Sequence, residues 1–305
     1  MATESAWKRC ISGDIPLNKA VVEKLPTGSR VVSAESYGKS SWARTAKILV
    51  VSAAGSLDRY FLKVPTRSGK SAQAFVEGEY RSAKDIRIAA KGLAPKPVGW
   101  GEYQDGSETV YFLVSEFCDM DFIQEPDPAQ LALQLARIHQ TTSQNGKFGY
   151  DTPTVIGVME RSVTWENSWA KVFSCQLKDA IHYDNKANGK WSELDAACGQ
   201  LIKVVIPRLL GILQSGGRTI TPALIHGDLW EENIGINKRN GNIVFFDPGC
   251  IAYNESLYLC EKYAPFPDMD KYMPSRDPTV TGERIAVTLQ STYSGHVSDW
   301  QSPSM

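Results

Sequence analysis

The sequence predicts an α+β protein with two lobes, a small one rich in β-strands and a larger one that is mainly helical. In the first part of the chain, apolar runs of strand length surround one stretch with helical spacing, 72–90. The strand-like runs lie at 44–52, 60–64 and 110–117. In the second part, leucine and isoleucine recur every three or four residues, which is typical of helices. We therefore expect an N-terminal lobe at 1–118 and a C-terminal lobe at 119–264.

Further segments define the rest of the chain. The helical patterns cover 128–142 and 194–214, and Pro207 is expected to kink or divide the second, because proline has no backbone N–H and clashes with the preceding turn. The segment 179–190 is polar enough to predict an exposed loop. The tail, 265–305, is rich in Pro, Ser and Asp without sustained periodicity. This composition predicts either disorder or an ending changed by alternative splicing or an imperfect gene model.

The charge balance argues against two classes of partner. The 33 basic and 34 acidic residues give a formal charge of −1, so no basic surface for nucleic acid or an anionic membrane is predicted. The six cysteines include no Cys-x-x-Cys pair, which favours free thiols in a reducing compartment. The first residues lack the apolar core of a signal peptide, and no run approaches the roughly 20 apolar residues of a membrane span. We therefore expect a cytoplasmic protein with neither nucleic acid nor membrane as a partner.

The stretch 224–248 carries the strongest chemical signal. It places Asp228 five residues before Asn233, the spacing of the base and the magnesium-binding asparagine in the catalytic loop of protein kinases. A hairpin turn at 237–242 then returns the chain, so that Asp247 ends the next apolar strand beside them. A lone His-Gly-Asp sequence is a common tight turn, but a plain hairpin does not need three oxygen-bearing side chains at its mouth. The three together predict a phosphotransferase in which Asp228 is the base and Asn233 and Asp247 bind Mg²⁺.

Lys63 is the candidate phosphate-binding lysine. It lies in the run 60–64 between apolar neighbours, where a buried ammonium is costly unless it meets a phosphate or a carboxylate. The helical stretch that follows supplies Glu79, our choice for the ion pair that holds Lys63 toward the α- and β-phosphates. The alternative is an edge-strand lysine whose ammonium reaches solvent.

Two further segments complete a nucleotide site. Gly38 and Ser40 lie in a short polar loop where backbone N–H groups can approach phosphate, although an ordinary hairpin turn has the same composition. The last predicted strand of the first lobe ends at Glu116, Phe117 and Cys118, where a kinase has the hinge whose backbone binds adenine. A plain buried strand is the alternative there, since only the order of elements favours a hinge. These segments predict ATP as the cofactor, bound between the lobes of a bilobal, protein-kinase-like fold.

Several short motifs now point to a family. They are Leu62-Lys63-Val64, Phe75-Val76-Glu77-Gly78-Glu79, Leu113-Val114-Ser115-Glu116-Phe117-Cys118-Asp119-Met120, Leu135-Ala136-Arg137-Ile138-His139, Phe148-Gly149-Tyr150, Trp165-Glu166-Asn167-Ser168-Trp169 and His226-Gly227-Asp228-Leu229-Trp230. Their order resembles the fructosamine kinase (ketosamine 3-kinase, protein-ribulosamine 3-kinase) family, a branch of the aminoglycoside-phosphotransferase-like kinases. The resemblance covers roughly 31–250 and is most specific at 165–169 and 227–230.

The resemblance implies ATP-dependent phosphorylation of the sugar 3-hydroxyl in ketoamines formed by glycation of lysine side chains or small amines. The phosphate then leaves by elimination and the amine is restored. Carried over by position, Asp228 would be the base or orienter for the sugar hydroxyl, and Asn233 and Asp247 the Mg²⁺ ligands. Lys63 would be the phosphate clamp and Glu79 its partner.

Four aromatic side chains have separate expectations. Trp230 lies two residues after Asp228 and is a candidate for stacking on the sugar, with a core tryptophan that seals the loop as the alternative. Trp165 and Trp169 are expected at positions i and i+4 of one helical face, in the core. His226 is predicted to be structural, with a ring that holds the catalytic loop by hydrogen bonds rather than carrying a proton.

The chain departs from the family in two places. Its candidate phosphate loop has a single glycine, Gly38, and no cysteine, so redox control through a loop disulfide has no support. After about Lys262 the similarity is lost, and the helices that cover the floor of the substrate site are expected to be missing. Three hypotheses stay open: a ketosamine 3-kinase for protein-bound or free ketoamines, a kinase for another small amine or amino alcohol, and a nucleotide-binding relative without catalysis.

Overall fold

The computed structural model describes residues 13–38, 40–157 and 159–248, with the backbone of Tyr253–Asn254. An antiparallel sheet is followed by a mainly helical region, so the predicted α+β class is confirmed. The predicted tail at 265–305 lies outside the described residues. Within them, no helix is both long and apolar enough to cross a lipid bilayer.

Five antiparallel strands form the first sheet. They are β1 (Arg30–Ser36), β2 (Ala43–Val51), β3 (Leu57–Pro65), β4 (Pro97–Asp105) and β5 (Glu108–Glu116), in the order β1-β2-β3-β5-β4. Alternate residues of β2, namely Ala46, Ile48 and Val50, are buried in an apolar cluster beneath the sheet, and the short helix α1 (Lys19–Val22) closes this cluster. The register sets Lys63 of β3 opposite Leu113 of β5. The strands predicted at 44–52, 60–64 and 110–117 are therefore present, with ends shifted by up to three residues.

The helix α2 (Gly69–Ala89) packs against this sheet. Ala72, Val76 and Ile86 recur at helical spacing and are buried, which explains why the stretch is helical and which face turns inward. Glu79 lies three residues after Val76, so it shares the inward face. The helix begins three residues before the predicted start.

The described part of the second lobe contains four α-helices. They are α3 (Pro128–His139), α4 (Trp169–Asn188), α5 (Ser192–Gln200) and α6 (Ile206–Leu209). A π-helical turn, Leu201–Val205, separates α5 from α6, and a 3-10 turn, Gly211–Gln214, follows α6. Pro207 explains the predicted division of this region, because its missing N–H prevents a continuous α-helix.

Two sequence-based predictions in this lobe are wrong. The segment 179–190, predicted as a loop, belongs to α4 as far as residue 188, because Ile181 within it packs on an apolar cluster while most of its polar side chains face outward. Trp165 and Trp169 do not share a helical face, because α4 begins only at Trp169. The preceding segment is extended and pairs with 148–150 through backbone hydrogen bonds. Trp169 is buried in the core, as predicted.

Short strands arrange the loops of the second lobe. They are β6 (Met120–Asp121), β7 (Thr154–Ile156), β8 (Met159–Arg161), β9 (Ala223–Leu224), β10 (Ile234–Asn237), β11 (Ile243–Phe245) and β12 (Tyr253–Asn254). β10 pairs with both β6 and β11, β7 with β8, and β9 with β12. The β7–β8 hairpin packs on α2 at Gly78, where an added Cβ would lie 2.9 Å from the carbonyl oxygen of Pro153. Only glycine permits this close approach of the two elements.

One apolar cluster connects the two lobes. Ile86 of α2, Ile138 of α3, Leu224 of β9 and Phe245 of β11 are all fully buried in it. Full burial of each such side chain contributes roughly 1.5–3 kcal/mol. This shared core fixes α2, which carries Glu79, relative to the β10–β11 hairpin.

Candidate active site

The predicted catalytic loop follows β9 and ends in a single 3-10 turn, Glu231–Asn233. Gly227 has a φ of 83°, which glycine adopts without strain and which lets the chain turn directly before Asp228. The side-chain Nδ2 of Asn233 donates to the backbone oxygen of Asp228 at 2.8 Å and to its carboxylate Oδ2 at 3.3 Å. The five-residue spacing therefore closes a loop in which an amide orients the carboxylate of Asp228.

His226 fastens this loop to the end of β11. Its Nε2 lies 3.1 Å from the carbonyl oxygen of Phe246, and its Nδ1 accepts the backbone N–H of Asp228 at 3.4 Å. These partners assign the proton to Nε2. Burial lowers the pKa of His226 to about 4, although the hydrogen bond to Phe246 and the charge of Asp247 oppose this change. The predicted hydrogen-bonding role of the ring is confirmed, and the ring is neutral near pH 7.

The β10–β11 hairpin brings Asp247 to the same place. Ile234 pairs with Phe245, and the N–H of Phe246 donates to the carbonyl oxygen of Asn233 at 3.1 Å. Asn233 and Asp247 therefore lie at the same end of the hairpin. Asp247 has a φ of 51°, a left-handed conformation that is uncommon outside glycine and is often found at functional sites.

Lys63 joins the two lobes by two ion pairs. Its Nζ lies 2.8 Å from Oε2 of Glu79 and also contacts Oδ1 of Asp247. The side chain of Lys63 is only 4% exposed, which contradicts the alternative of a lysine that reaches solvent. Burial acts to lower the pKa of Lys63, but the charges of Asp247 and Glu79 raise it above its ordinary value. The predicted pair with Glu79 is present, and the binding of phosphate by Lys63 stays a prediction.

The carboxyl groups of Glu79, Asp247 and Asp228 differ in pKa. Burial raises the pKa of Glu79 above its ordinary value. Burial acts in the same direction on Asp247, but the charge of Lys63 and its hydrogen bond keep the pKa of Asp247 below the ordinary value. Burial raises the pKa of Asp228 to about 6, although the charge of Arg161 opposes this rise. Asp228 is therefore still ionised at neutral pH and can accept a proton.

The oxygen donors here fit a magnesium ion. Mg²⁺ is usually held by one or two protein side chains, with water and phosphate oxygens as its other ligands. Asp247 offers an ionised carboxylate, and Asn233 offers its Oδ1, since its Nδ2 is bonded to Asp228. The described residues contain no group of three or more His, Cys, Asp or Glu that could hold a metal ion. An ion at this place would therefore need water or phosphate oxygens among its ligands.

The predicted phosphate loop lies between β1 and β2. Gly38 and Ser40 are exposed there, Gly38 has a φ of 77°, and Lys39 lies outside the described residues. The loop is tied to β2, because the hydroxyl of Thr45 donates to the carbonyl oxygen of Tyr37. The ring of Tyr37 meets the ring of Phe117 edge to face, with centroids 4.9 Å apart, so the loop also touches the predicted hinge.

The predicted hinge uses part of its backbone internally. The N–H of Glu116 donates to the carbonyl oxygen of Lys96 at 2.8 Å, and that of Phe117 to Arg59 at 3.0 Å. Of the three predicted adenine-binding residues, only Cys118 has a backbone N–H that bonds to no other described residue. Cys118 is therefore the best placed of the three to donate a hydrogen bond to a base.

A cavity of about 850 Å³ lies beside the hinge. Glu116, Phe117 and Cys118 line it together with the turn of the β10–β11 hairpin. Neither Lys63 nor Asp228 is among its lining residues, so this space is separate from the cluster of ion pairs.

Sequence reasoning missed a buried arginine near Asp228. Arg161 ends β8, is only 7% exposed, and its positive charge acts on the Asp228 carboxyl. No sequence pattern indicates this, because a single arginine between polar residues is normally expected to be exposed to solvent. Trp230 is half-buried directly before the 3-10 turn, and its stacking on the sugar stays a prediction.

Known proteins provide independent comparisons. The family model described as fructosamine kinase matches residues 40–269, which include Lys63, Glu79, Asp228 and Asp247. A protein-ribulosamine 3-kinase of Arabidopsis thaliana, described as chloroplastic, is 26% identical over 60% of this chain and 53% of its own length. A ketosamine-3-kinase of Mus musculus is 25% identical over 66% of this chain and 67% of its own length. The chain thus spans between half and two thirds of the length of these relatives.

Two solved structures share the fold. A candidate fructosamine-3-kinase of Haemophilus somnus 129PT has a TM-score of 0.61 at 17% identity, over 89% of this chain and 87% of its own. One from Thermobifida fusca also has a TM-score of 0.61, at 18% identity, over 90% of this chain and 88% of its own. The predicted bilobal, kinase-like architecture is confirmed by this likeness.

Proposed function

Because the chain belongs to the fructosamine kinase family, we propose that it is a ketosamine 3-kinase that uses ATP to phosphorylate the 3-hydroxyl of ribulosamine or fructosamine groups on lysine side chains or small amines. Membership of this family supports phosphoryl transfer as the reaction, and the choice of acceptor is the finer part of the proposal. The observation that carries it is the meeting of Asp228, Asn233 and Asp247 with the Lys63–Glu79 ion pair. This arrangement supports phosphoryl transfer, and the family supports a ketoamine as the acceptor.

The proposed reaction assigns one task to each side chain. The carboxylate of Asp228 takes the proton of the sugar hydroxyl, whose oxygen forms a bond to the γ-phosphorus while the bond to the bridging oxygen breaks and ADP leaves. Lys63, held by Glu79, binds oxygens of the α- and β-phosphates. Asp247 and Asn233 would hold Mg²⁺, which neutralises phosphate charge when bound. His226 keeps the Asp228 loop against β11 throughout.

The test compares acceptors in one assay. ADP formation is measured with Mg²⁺-ATP and ribulosyl-lysine, fructosyl-lysine or plain lysine, with phosphorus NMR to locate the new phosphate. Turnover with a ketosamine, none with lysine, and loss of turnover in Asp228→Asn are expected. Turnover with unmodified amines or amino alcohols alone would favour the second kinase hypothesis. ATP binding without turnover of any acceptor would favour a nucleotide-binding relative.

The cytoplasmic location is also kept as part of the proposal. Cys118, Cys175 and Cys198 are free thiols in the described part of the chain, as a reducing compartment would favour. Imaging of the tagged full chain tests this. Accumulation in an organelle, as the name of the Arabidopsis relative indicates for that protein, would contradict it.

A further inference from the structure

Arg67 lies in the connection between β3 and α2, four residues after Lys63. Its Nη2 donates to the carbonyl oxygen of Gly157, in the turn between β7 and β8. Its Nη1 lies 3.5 Å from the hydroxyl oxygen of Ser71, at the limit of a hydrogen bond. The guanidinium of Arg67 thus contacts both lobes, but it has one good hydrogen bond and one marginal one.

Arg67 has no carboxylate partner among the described residues, and the only charge that acts on it is that of the Tyr183 phenol. The side chain is half-buried, and its Nε makes no hydrogen bond. Within the described part of the chain, no carboxylate lies at ion-pair distance from Arg67, and the carboxylates of Glu79 and Asp247 both pair with Lys63. Burial lowers the pKa of Arg67, as expected for a cation removed from water. Partial burial of a guanidinium whose N–H donors are not all hydrogen-bonded costs free energy of desolvation, unless an anion binds to it.

The position of Arg67 indicates which anion this is. Phe75 of α2 has the guanidinium carbon of Arg67 at 5.0 Å from its ring centroid and the Nζ of Lys63 at 4.8 Å from the same centroid. The two cations therefore flank one ring. Lys63 is the proposed clamp of the α- and β-phosphates, so the terminal phosphate of a nucleotide held there would lie near the same group of side chains.

The phosphate loop reaches the same place. Both the N–H and the hydroxyl of Thr66, the neighbour of Arg67, donate to the carbonyl oxygen of Trp42, at 2.9 Å and 3.1 Å. The ring of Trp42 also lies against Gly157, with Cζ2 3.5 Å from where a Cβ would be. Arg67 therefore sits where the end of the phosphate loop meets the β7–β8 turn.

From this geometry we propose that Arg67 binds the phosphoryl group that is transferred, as the terminal phosphate of ATP before the reaction and as the sugar phosphate after it. Its fork of N–H donors matches phosphate oxygens, whereas a lysine presents a single point charge. The inference rests on the proposed kinase function, and it adds a phosphate contact outside the predicted Lys63, Asn233 and Asp247 set. A purely structural Arg67 that only links β3–α2 to Gly157 is the competing interpretation.

Nucleotide binding tests the proposal without requiring turnover. Calorimetry with Mg²⁺ and no acceptor gives the affinities of ATP and ADP for the wild type, Arg67→Met, Arg67→Lys and Arg208→Met, an exposed arginine of α6 that serves as the control. Arg67→Met should weaken ATP binding about tenfold or more while changing ADP binding little, the scale of a lost charged hydrogen bond. Arg67→Lys should restore part of the difference, and Arg208→Met should change neither affinity.

Other outcomes overturn the proposal. Equal changes for ATP and ADP in Arg67→Met, with a lower melting temperature, would make Arg67 a structural link between the lobes. Unchanged nucleotide affinities with a raised KM for an anionic acceptor would assign it to that acceptor instead. If Arg67→Met does not fold, Arg67→Lys decides, since it must still lower the ratio of ATP to ADP affinity. A wild type that binds neither nucleotide would remove the kinase function itself.

Discussion

Lowering the pH from about 7.5 to about 5 should destabilise the fold by about 2 kcal/mol through His226 alone. The ring is buried and neutral in the folded protein, with a pKa of about 4 against an ordinary value of 6.5. Below the ordinary pKa the unfolded chain binds a proton on this ring and the folded protein does not, so the free energy of unfolding falls as the pH drops. The contribution is fully present above the ordinary pKa, is lost progressively down to about pH 4, and totals about 3 kcal/mol.

Urea unfolding over this pH range measures the effect. Each curve is recorded for the wild type and for His226→Gln, whose amide can still donate to the carbonyl oxygen of Phe246 but cannot titrate. The difference between the two proteins isolates the ring from all other titrating groups. His182→Gln, a change at an exposed histidine of α4, is the control and should keep the wild-type slope. If His226→Gln shows the same acid dependence as the wild type, the buried neutral ring is not its cause.

Four further substitutions separate the roles at the proposed site. Asp228→Asn should lower kcat at least about a hundredfold while ATP affinity stays nearly intact, and near-normal turnover of this variant would exclude Asp228 as the base. In the wild type, kcat/KM should rise with pH through about 6 as Asp228 ionises. Asp247→Ala should weaken both ATP binding and turnover at limiting Mg²⁺, and unchanged values in a folded variant would count against a metal ligand. Lys63→Met should raise KM for ATP, and an unaltered constant would remove its phosphate role. Trp230→Ala should weaken ketoamine binding by about 1–3 kcal/mol, more than ATP binding, whereas equal losses with a lower melting temperature would indicate packing.

The sequence predicted best what short chain segments determine. Asp228 and Asn233 are close because a five-residue loop joins them, and Asp247 arrives through the tight hairpin turn at 237–242. Lys63 and Glu79 belong to consecutive elements, so their pairing needed only the correct order of strand and helix. Spacing alone carries such information, because little freedom remains in the intervening chain.

What the sequence did not predict depends on distant contacts. The contact of Arg67 with Gly157 spans 90 residues, and no local pattern marks either partner. Arg161 is far from Asp228 in the sequence, and its buried charge acts on the Asp228 carboxyl only because the fold brings the two segments close together. The prediction of a loop at 179–190 was wrong for another reason. A mostly polar helix in which Ile181 faces the core has the same composition as a loop.

The two ion pairs of Lys63 can also form at different stages of protein synthesis. It lies 16 residues from Glu79 but 184 from Asp247, and the longer closure costs about 2 kcal/mol more chain entropy. On the ribosome Glu79 emerges soon after Lys63, whereas Asp247 emerges only after the intervening residues of the second lobe have been synthesised. The first lobe can therefore bury its ammonium with a counter-charge already in place while the second lobe is still being translated. Docking of the newly made half then adds Asp247 to an ion pair that already exists.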